Sequence, residues 1–198
     1  MRGEDEEIEP GMRDRKKART RDGIRTAAFD LFEEQGFERT TVQQICRRAD
    51  VAHRTFFRYY PTKEALLFGW DFGRLLLDAF AGAPAGLDLW AAMEHALTST
   101  DGQWEESAEH AARRRRLRGE YLPVQSVRNY ALIVIDTLTQ RTAELAADRL
   151  GVDPGADLRP TAFATLFAGI VRGHVLDGGR DTDPLPSWAE AYRAVLRS

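Results

Sequence analysis

The fold of this chain can be inferred from residues 37–67, which read FERTTVQQICRRADVAHRTFFRYYPTKEALL. Thr40 is a good N-cap for a short helix, and Gln43, three residues later, would complete a capping box. This helix should end near Arg48, and residues 49–51 form a tight turn. A second short helix then covers about residues 52–59, because Pro61 prevents its continuation. Helices of two turns are marginal alone, so these two need a core that they share with a longer neighbour.

The longer neighbour lies just before this segment. Apolar residues recur there at helical spacing and form one face: Ile24, Ala27, Ala28, Leu31 and Phe32. Gly36 should end the helix in a left-handed conformation, so that Phe37 can contact Phe32. A long helix followed by two short helices across a three-residue turn is the helix-turn-helix layout, whose last helix enters the major groove of DNA.

The outer face of the last helix carries side chains that can bind DNA. Phe56 and Tyr60 are four residues apart and point to the core, which leaves these residues outside: His53, Arg54, Thr55, Phe57 and Arg58. They offer donors to base edges and phosphates and an aromatic ring to a thymine methyl, and Arg54 is the best candidate for reading a base. Phosphate should be bound by Tyr59, by Lys63 and by Thr40 or Thr41 at the start of the preceding helix. A solvated polar face is the alternative, and two exposed aromatic rings among three cations argue against it.

The remaining residues also have helical patterns. Thr62 should cap a fourth helix that continues to Phe80, and helical spacing recurs over residues 87–101, 103–119, 124–150, 158–177 and 186–197. No stretch alternates as a strand would. The sequence therefore predicts an all-α protein of about nine helices. A disordered acidic tail (1–12) precedes a small three-helix DNA-binding domain (13–61) and a larger helical domain (62–198).

Composition and charge narrow the class of protein. The net charge is −3, but residues 13–63 carry a net charge of +6 and residues 64–198 a net charge of −5. A basic block on an acidic body suggests an anion-binding module, with random fluctuation as the alternative. Within the block, residues 13–21 form a basic arm that either follows DNA or serves only to solubilise the chain.

Several other classes lack support in the sequence. The single cysteine, Cys46, excludes an intramolecular disulfide, and His95, His110 and His174 lack metal-like spacing, so no metal site is expected. No apolar run approaches the roughly 20 residues of a membrane span, and the acidic start is not a secretory signal. A cytoplasmic protein without a membrane partner is therefore expected. No catalytic motif appears, which argues against an enzyme and against a cofactor.

Together these motifs resemble the DNA-binding domain of TetR-family transcriptional repressors. The resemblance covers about residues 15–68 and rests on a helix ending in Gly-Phe, then Thr-Thr-Val, Ile, Ala, a turn with Val, Thr, aromatics and Lys-Glu-Ala-Leu. It implies DNA contacts at Thr41, His53, Arg54, Thr55, Phe57, Tyr59 and Lys63. Asp50 replaces the usual turn glycine but tolerates the left-handed conformation. Ala52 replaces a serine cap, which should weaken the start of its helix by about 1 kcal/mol. Phe57 replaces a tyrosine and loses a hydroxyl that would reach phosphate.

The resemblance also implies a homodimer whose larger domain binds a small molecule. The candidate pocket residues are Trp70, Trp90, Met93, Trp104, His110, Tyr130 and Phe167. The candidate dimer interface lies in the last two helices, with an intramolecular core as the alternative. Its residues are Leu166, Gly169, Ile170, Gly173, Trp188, Tyr192 and Val195.

The effector would be a small hydrophobic molecule or an acyl-coenzyme A. The arginine run 113–116 would either meet the phosphates of such a ligand or form salt bridges with Glu105, Glu106 and Glu109 on its own helix. The sequence therefore predicts a repressor that a ligand releases from a near-palindromic operator. An activator or a regulator without a ligand is the alternative. More remote is a helical protein-interaction module, which would not need His53, Arg54 and Arg58 on an outer face.

Overall fold

A computed structural model of the chain describes residues 10–68, 70–100 and 108–176. These residues form eight α-helices and one short 3-10 turn, and no strand occurs among them, which confirms the all-α prediction. The elements are α1 (Pro10–Gln35), α2 (Val42–Arg48), α3 (His53–Tyr59), the 3-10 turn (Glu64–Leu67), α4 (Trp70–Ala81), α5 (Leu89–Thr100), α6 (Ala108–Tyr121), α7 (Gln125–Leu150) and α8 (Arg159–Leu176). The helix predicted at 186–197 lies outside the described residues.

The first helix is longer than the sequence indicated. It begins at Pro10, so residues 10–12, which we assigned to a disordered tail, are helical; residues 1–9 lie outside the described part of the chain. Proline is well accommodated at a first helical position, where its missing N–H is not needed. The predicted end is confirmed: Gly36 has φ +84°, and the ring of Phe37 lies 5.0 Å from that of Phe32.

The cap of α2 lies one residue later than predicted. The Thr40 side chain is buried, and its hydroxyl donates to the carbonyl oxygen of Gly36 at 2.8 Å, so Thr40 cannot serve as the cap. Thr41 takes that role: its hydroxyl accepts the N–H of Gln44 at 3.2 Å, and the Gln44 side chain accepts the N–H of Thr41 at 2.8 Å. The predicted capping box therefore exists, with Gln44 in place of Gln43.

The continuous helix that we predicted over residues 62–80 is wrong. A 3-10 turn covers Glu64–Leu67, and α4 begins only at Trp70. The four residues 65–68 are each at most 5% exposed. Successive residues of an α-helix are rotated by about 100°, so four in a row cannot all lie on one buried face. Thr62 does not cap a helix, since its buried hydroxyl has no hydrogen-bond partner.

The chain divides into two compact units. The first comprises the described residues of Met1–Leu67 and Glu105–Leu117, and the second those of Phe68–Trp104 and Arg118–Ser198. In the first unit the fully buried side chains include Phe29, Phe32, Phe37, Ile45 and Phe56. In the second unit α4 and α5 contribute Leu76, Phe80 and Met93 to a core that Phe163 and Phe167 of α8 complete. The domain boundary after residue 61 stays a prediction.

Within the described residues, no helix is long and apolar enough to cross a membrane. Nor does that part of the chain hold any group of three histidine, cysteine or carboxylate side chains that could bind a metal ion.

Candidate nucleic-acid interface

The α2–turn–α3 segment holds the recognition helix by a small apolar core. Ile45 and Phe56 are fully buried, and Tyr60 at the end of α3 is nearly so. Asp50 adopts φ +51° in the turn, and the N–H of Val51 donates to the carbonyl oxygen of Cys46 at 3.0 Å. The left-handed residue reverses the chain within three residues, as the sequence predicted, and this fixes which side of α3 points outward.

The outward side of α3 carries the predicted side chains. His53, Arg54, Phe57 and Arg58 are exposed, while Thr55 and Tyr59 are half-buried. The Phe57 side chain is 47% exposed, and its ring lies edge-on to that of His53 with centroids 5.0 Å apart. The Arg58 guanidinium lies 5.0 Å from the Tyr59 ring centroid. The face therefore combines hydrogen-bond donors with exposed aromatic carbon on a helix that fits a major groove about 12 Å wide.

The start of α2 is the second part of the candidate interface. Thr41 is exposed beside the unpaired N–H groups of the first turn, which carry partial positive charge and attract phosphate. Thr40 was also a candidate for phosphate contact, but only 1% of it is exposed and its hydroxyl is held by the chain itself. Its burial therefore argues against a phosphate contact at Thr40, whereas the phosphate contact at Thr41 stays a prediction.

Lys63 has an internal role that the sequence did not predict. Its ammonium donates to the carbonyl oxygens of Phe37 at 2.8 Å and Thr40 at 2.9 Å, and lies 4.3 Å from the Phe37 ring centroid. Burial lowers the pKa of Lys63, although nearby Glu64 and Glu38 partly oppose the shift. An ammonium has three N–H donors, so two fix the loop between α1 and α2 and one is left for a phosphate.

Two residues on α2 were missed. Gln43 and Arg47 are exposed, and they line a groove with Asp50, Ala52 and His53 at the start of α3. They are four residues apart and so share one face of the helix. That spacing was visible in the sequence, and it could have identified them as polar neighbours of the recognition helix.

The residues predicted to bind the ligand do not all lie in one cluster. Trp90, Met93 and Phe167 belong to one apolar cluster of the second unit, where the Trp90 ring lies 4.9 Å from that of Phe163. Tyr130 instead packs on Phe68, with ring centroids 5.4 Å apart. The side chain of Trp70 and the whole of Trp104 lie outside the described part of the structure.

His110 does not join the apolar cluster of the second unit. It belongs to the first unit, where its Nε2 lies 3.3 Å from the Thr26 hydroxyl of α1. The assignment of His110 to a ligand pocket therefore stays a prediction, and the contact described for this residue is with α1.

The arginine run finds its partners on α1. Arg113 donates to Asp30 and to Glu33, each at 2.6 Å, and Arg116 also pairs with Glu33. The hydrogen bond from Arg113 lowers the pKa of Glu33, and the Glu33 carboxylate in turn raises the pKa of Arg113. Arg113 and Arg116 therefore have acidic partners on α1, and neither a ligand phosphate nor a glutamate of α6 is required to balance their charge. Of the predicted partners, Glu105 and Glu106 lie outside the described residues. No local spacing could have predicted pairs some 80 residues apart.

The dimer candidates in α8 are only partly available. Ile170 is 1% exposed and Gly173 is buried within the single chain, so both already serve the intramolecular core. Leu166 and Gly169 are half-buried and can still contribute to a contact between subunits. Trp188, Tyr192 and Val195 lie outside the described residues, so this part of the interface stays a prediction.

Known protein families match both parts of the chain. The family model for bacterial regulatory proteins of the tetR family matches residues 24–69. A second model, the MftR C-terminal domain, matches residues 87–185. The HTH-type transcriptional regulator TcmR of Streptomyces glaucescens is 35% identical over 173 residues, which cover 82% of this chain and 74% of that protein. The putative mycofactocin biosynthesis transcriptional regulator MftR of Mycobacterium tuberculosis is 40% identical over 55 residues, 28% of each chain.

Solved structures share the fold. A transcriptional regulator of the TerR/AcrR family from Aquifex aeolicus has a TM-score of 0.50 at 18% identity, covering 90% of this chain and 98% of its own. NalD, the secondary repressor of the MexAB-OprM multidrug efflux pump in Pseudomonas aeruginosa, has a TM-score of 0.52 at 19% identity, covering 90% and 96%. At such identities these likenesses establish the fold alone.

Proposed function

We propose a specific role for this chain from one premise: it belongs to the TetR family of bacterial regulatory proteins and is a DNA-binding transcriptional regulator. The proposed role is that of a repressor, which leaves a near-palindromic operator when a small molecule binds. The observation that carries the proposal is the outward face of α3. Hydrogen-bond donors and exposed aromatic carbon lie together there, on a helix that fits the major groove of DNA.

Each side chain of the interface has a proposed part in DNA recognition. Arg54 reads a guanine through its O6 and N7 acceptors, and Phe57 contacts a thymine methyl group. Thr41, Tyr59 and the remaining N–H of Lys63 hold phosphates and so fix the position of α3 on the duplex. Phosphate contacts alone would not specify sequence, so the specificity lies with α3.

Two copies of the chain are needed for the proposed operator. In a twofold dimer, the two α3 helices would read half-sites about 34–36 Å apart, one turn of the double helix. The half-buried Leu166 and Gly169 of α8 support a contact there, together with the predicted residues of the last helix. A near-palindromic operator follows from the symmetry of such a dimer.

The proposed effector is a small hydrophobic molecule bound in the second unit. The apolar cluster with Trp90, Met93 and Phe167 supplies walls of suitable chemistry. The ligand must bind the DNA-free state more tightly, and a 100-fold preference is worth about 2.7 kcal/mol. A repressor is favoured over an activator because residues 37–67 resemble the DNA-binding domain of TetR-family repressors. An acyl-coenzyme A remains one candidate effector. We also place the protein in the cytoplasm, with no enzymatic activity.

The test is binding of the purified full chain to its own upstream intergenic DNA at physiological salt with excess nonspecific competitor. The wild type should bind a short near-palindrome with nanomolar affinity, as specific regulators do. Arg54→Ala/Arg58→Ala should abolish specific binding, since it removes both guanidinium groups from α3. The matched control Arg74→Ala/Arg128→Ala removes two exposed arginines of the second unit and should bind as the wild type does.

If the operator lies elsewhere in the genome, selection of bound sequences from random DNA by the purified protein should identify it. If neither the upstream DNA nor selection yields a bound sequence, the proposal fails. That outcome would instead favour a helical protein-interaction module, which does not need Arg54 and Arg58. Equal DNA binding by the Arg54→Ala/Arg58→Ala variant would contradict the role given to these two arginines.

A further inference from the structure

The beginning of α1 forms a surface that the proposed roles of α2 and α3 do not use. The helix begins at Pro10, and from Arg15, where the description of burial starts, Ile24 is the first fully buried residue. At a rise of 1.5 Å per residue, about 20 Å of helix precede the core of the first unit. Residues 13–21 hold six basic residues and one acidic residue, and Arg15, Lys16, Lys17 and Arg19 are exposed. A strongly cationic helix therefore leads into the helix-turn-helix.

One side of this helix changes from basic to apolar along its length. Lys17, Arg21, Ile24 and Ala28 follow the spacing i, i+4, i+7 and i+11, which places them on one side. Ile24 and Ala28 are both fully buried, and Gln35, farther along the same side, donates to the Thr40 hydroxyl and to the Gln44 side chain of α2. The side that carries Lys17 and Arg21 is therefore the side on which the two short helices pack. Arg15 and Arg19 form a matched i, i+4 pair on the opposite side.

The basic side of α1 meets the end of α3. The Tyr60 hydroxyl lies 3.4 Å from the carbonyl oxygen of Arg21, and Tyr60 directly follows the last residue of α3. Arg58 and Tyr59 belong to that same end of the recognition helix. Positive charge therefore continues from the end of α3 onto α1, next to where the flanking phosphates of a bound half-site would lie.

We propose that Lys17 and Arg21 bind the DNA phosphate backbone beside the half-site that α3 reads. The helical state decides how the segment binds. An α-helix with its side chains is about 10–12 Å wide, so it does not fit a minor groove about 6 Å wide. The segment therefore lies along the backbone, and it adds affinity and salt dependence without adding sequence specificity. This inference rests on the DNA binding proposed for α3.

The experiment compares two double variants of the full chain that differ only in the side of α1 they change. Lys17→Ala/Arg21→Ala removes two charges from the proposed contact side, and Arg15→Ala/Arg19→Ala removes two from the other side. Alanine is the best helix former, so the helix itself is preserved in both. The affinity of each variant for the operator selected by the wild type is measured across salt concentrations of about 50–200 mM.

The expected result is a change in the slope of log K against log salt. Each lost phosphate contact makes the slope less steep by about 0.9, so two contacts in each subunit of a dimer amount to about 3.6. Arg15→Ala/Arg19→Ala should keep the wild-type slope. The base preference of both variants should equal that of the wild type, because no base contact has changed.

Arg21 is half-buried, so a single variant protects the test against misfolding. Lys17→Ala changes an exposed side chain, and it should make the slope less steep by about 1.8 in a dimer. Equal slopes for the two double variants, or a wild-type slope for Lys17→Ala, would overturn the proposal. If the DNA-binding function itself is wrong, the wild type selects no operator, which is a different observation and overturns both.

Discussion

Replacing Ala52 by serine should stabilise the helix-turn-helix by about 1 kcal/mol. Ala52 is the N-cap of α3 and has φ −69° and ψ 150°, the extended geometry that a capping serine adopts, but it has no side-chain acceptor. The Thr55 N–H already donates to the Ala52 carbonyl at 2.8 Å. The new hydroxyl would therefore accept mainly from the N–H of Arg54. Position 52 is exposed, so serine costs no packing.

The gain is measured by urea unfolding at a fixed protein concentration, because association of subunits makes apparent stability depend on concentration. A gain of about 1 kcal/mol corresponds to about 2–4 °C in Tm for a chain of this size. Hydrogen exchange of the α3 amides reports the same effect locally and separates it from changes in the second unit.

Ala52→Val is the matched control, because valine adds volume but no acceptor and ranks with alanine as an N-cap. It should show no gain. A serine variant that unfolds with the wild type would show that the first turn of α3 does not lack a cap. A valine variant as stable as the serine variant would show that the gain does not come from a hydrogen bond.

Four further substitutions, one of them with a control, test other contacts. Arg113→Ala should lower the free energy of unfolding by about 1–2 kcal/mol. The control Arg141→Ala breaks the exposed pair of Arg141 with Glu144 and should cost less than about 0.5 kcal/mol, so equal losses would contradict the reasoning. Because Arg113 holds the pKa of Glu33 below its usual 4.5, that stabilisation is present above about pH 4.5 and is lost as the pH falls through the lower folded value. Glu33→Gln should therefore weaken the acid dependence of the urea midpoint, and an unchanged dependence would exclude this cause. Lys63→Met should lower the free energy of urea unfolding by about 1–2 kcal/mol, because the Thr40 carbonyl loses its donor, whereas the Phe37 carbonyl still accepts the N–H of Thr40. An unchanged midpoint would contradict this role of Lys63. Phe57→Tyr should raise operator affinity about two- to tenfold through a new phosphate hydrogen bond, and unchanged affinity would show that no phosphate is in reach.

The helix-turn-helix could be predicted because its signals are local. Gly36 and Asp50 need left-handed conformations, and the sequence supplies residues that tolerate them at both positions. The error at the α2 cap came from two adjacent threonines that carry the same local signal. What separates them is the burial of Thr40 beneath α1, which is a tertiary contact.

The errors farther along the chain have the same origin. The break before α4 arises because residues 65–68 are all buried, whereas the helical pattern in the sequence implied that only one side would be. The pairing of Arg113 with Asp30 and Glu33 joins residues some 80 positions apart, and the glutamates nearer in the sequence were the reasonable local choice. The contact of His110 with Thr26 on α1 is another that joins residues 84 positions apart, so no local pattern predicts it.

The central claim is that the outward face of α3 reads DNA sequence, and it is tested most directly by selecting DNA from a random pool with the wild type and with Arg54→Ala. The wild type should select a near-palindrome. The variant should lose its preference at one symmetric pair of positions, where a bidentate arginine–guanine contact is worth about 1–3 kcal/mol, and keep it elsewhere. An identical preference from both proteins would contradict the assignment of base reading to Arg54. A wild type that selects no sequence would contradict the account of α3 as a recognition helix.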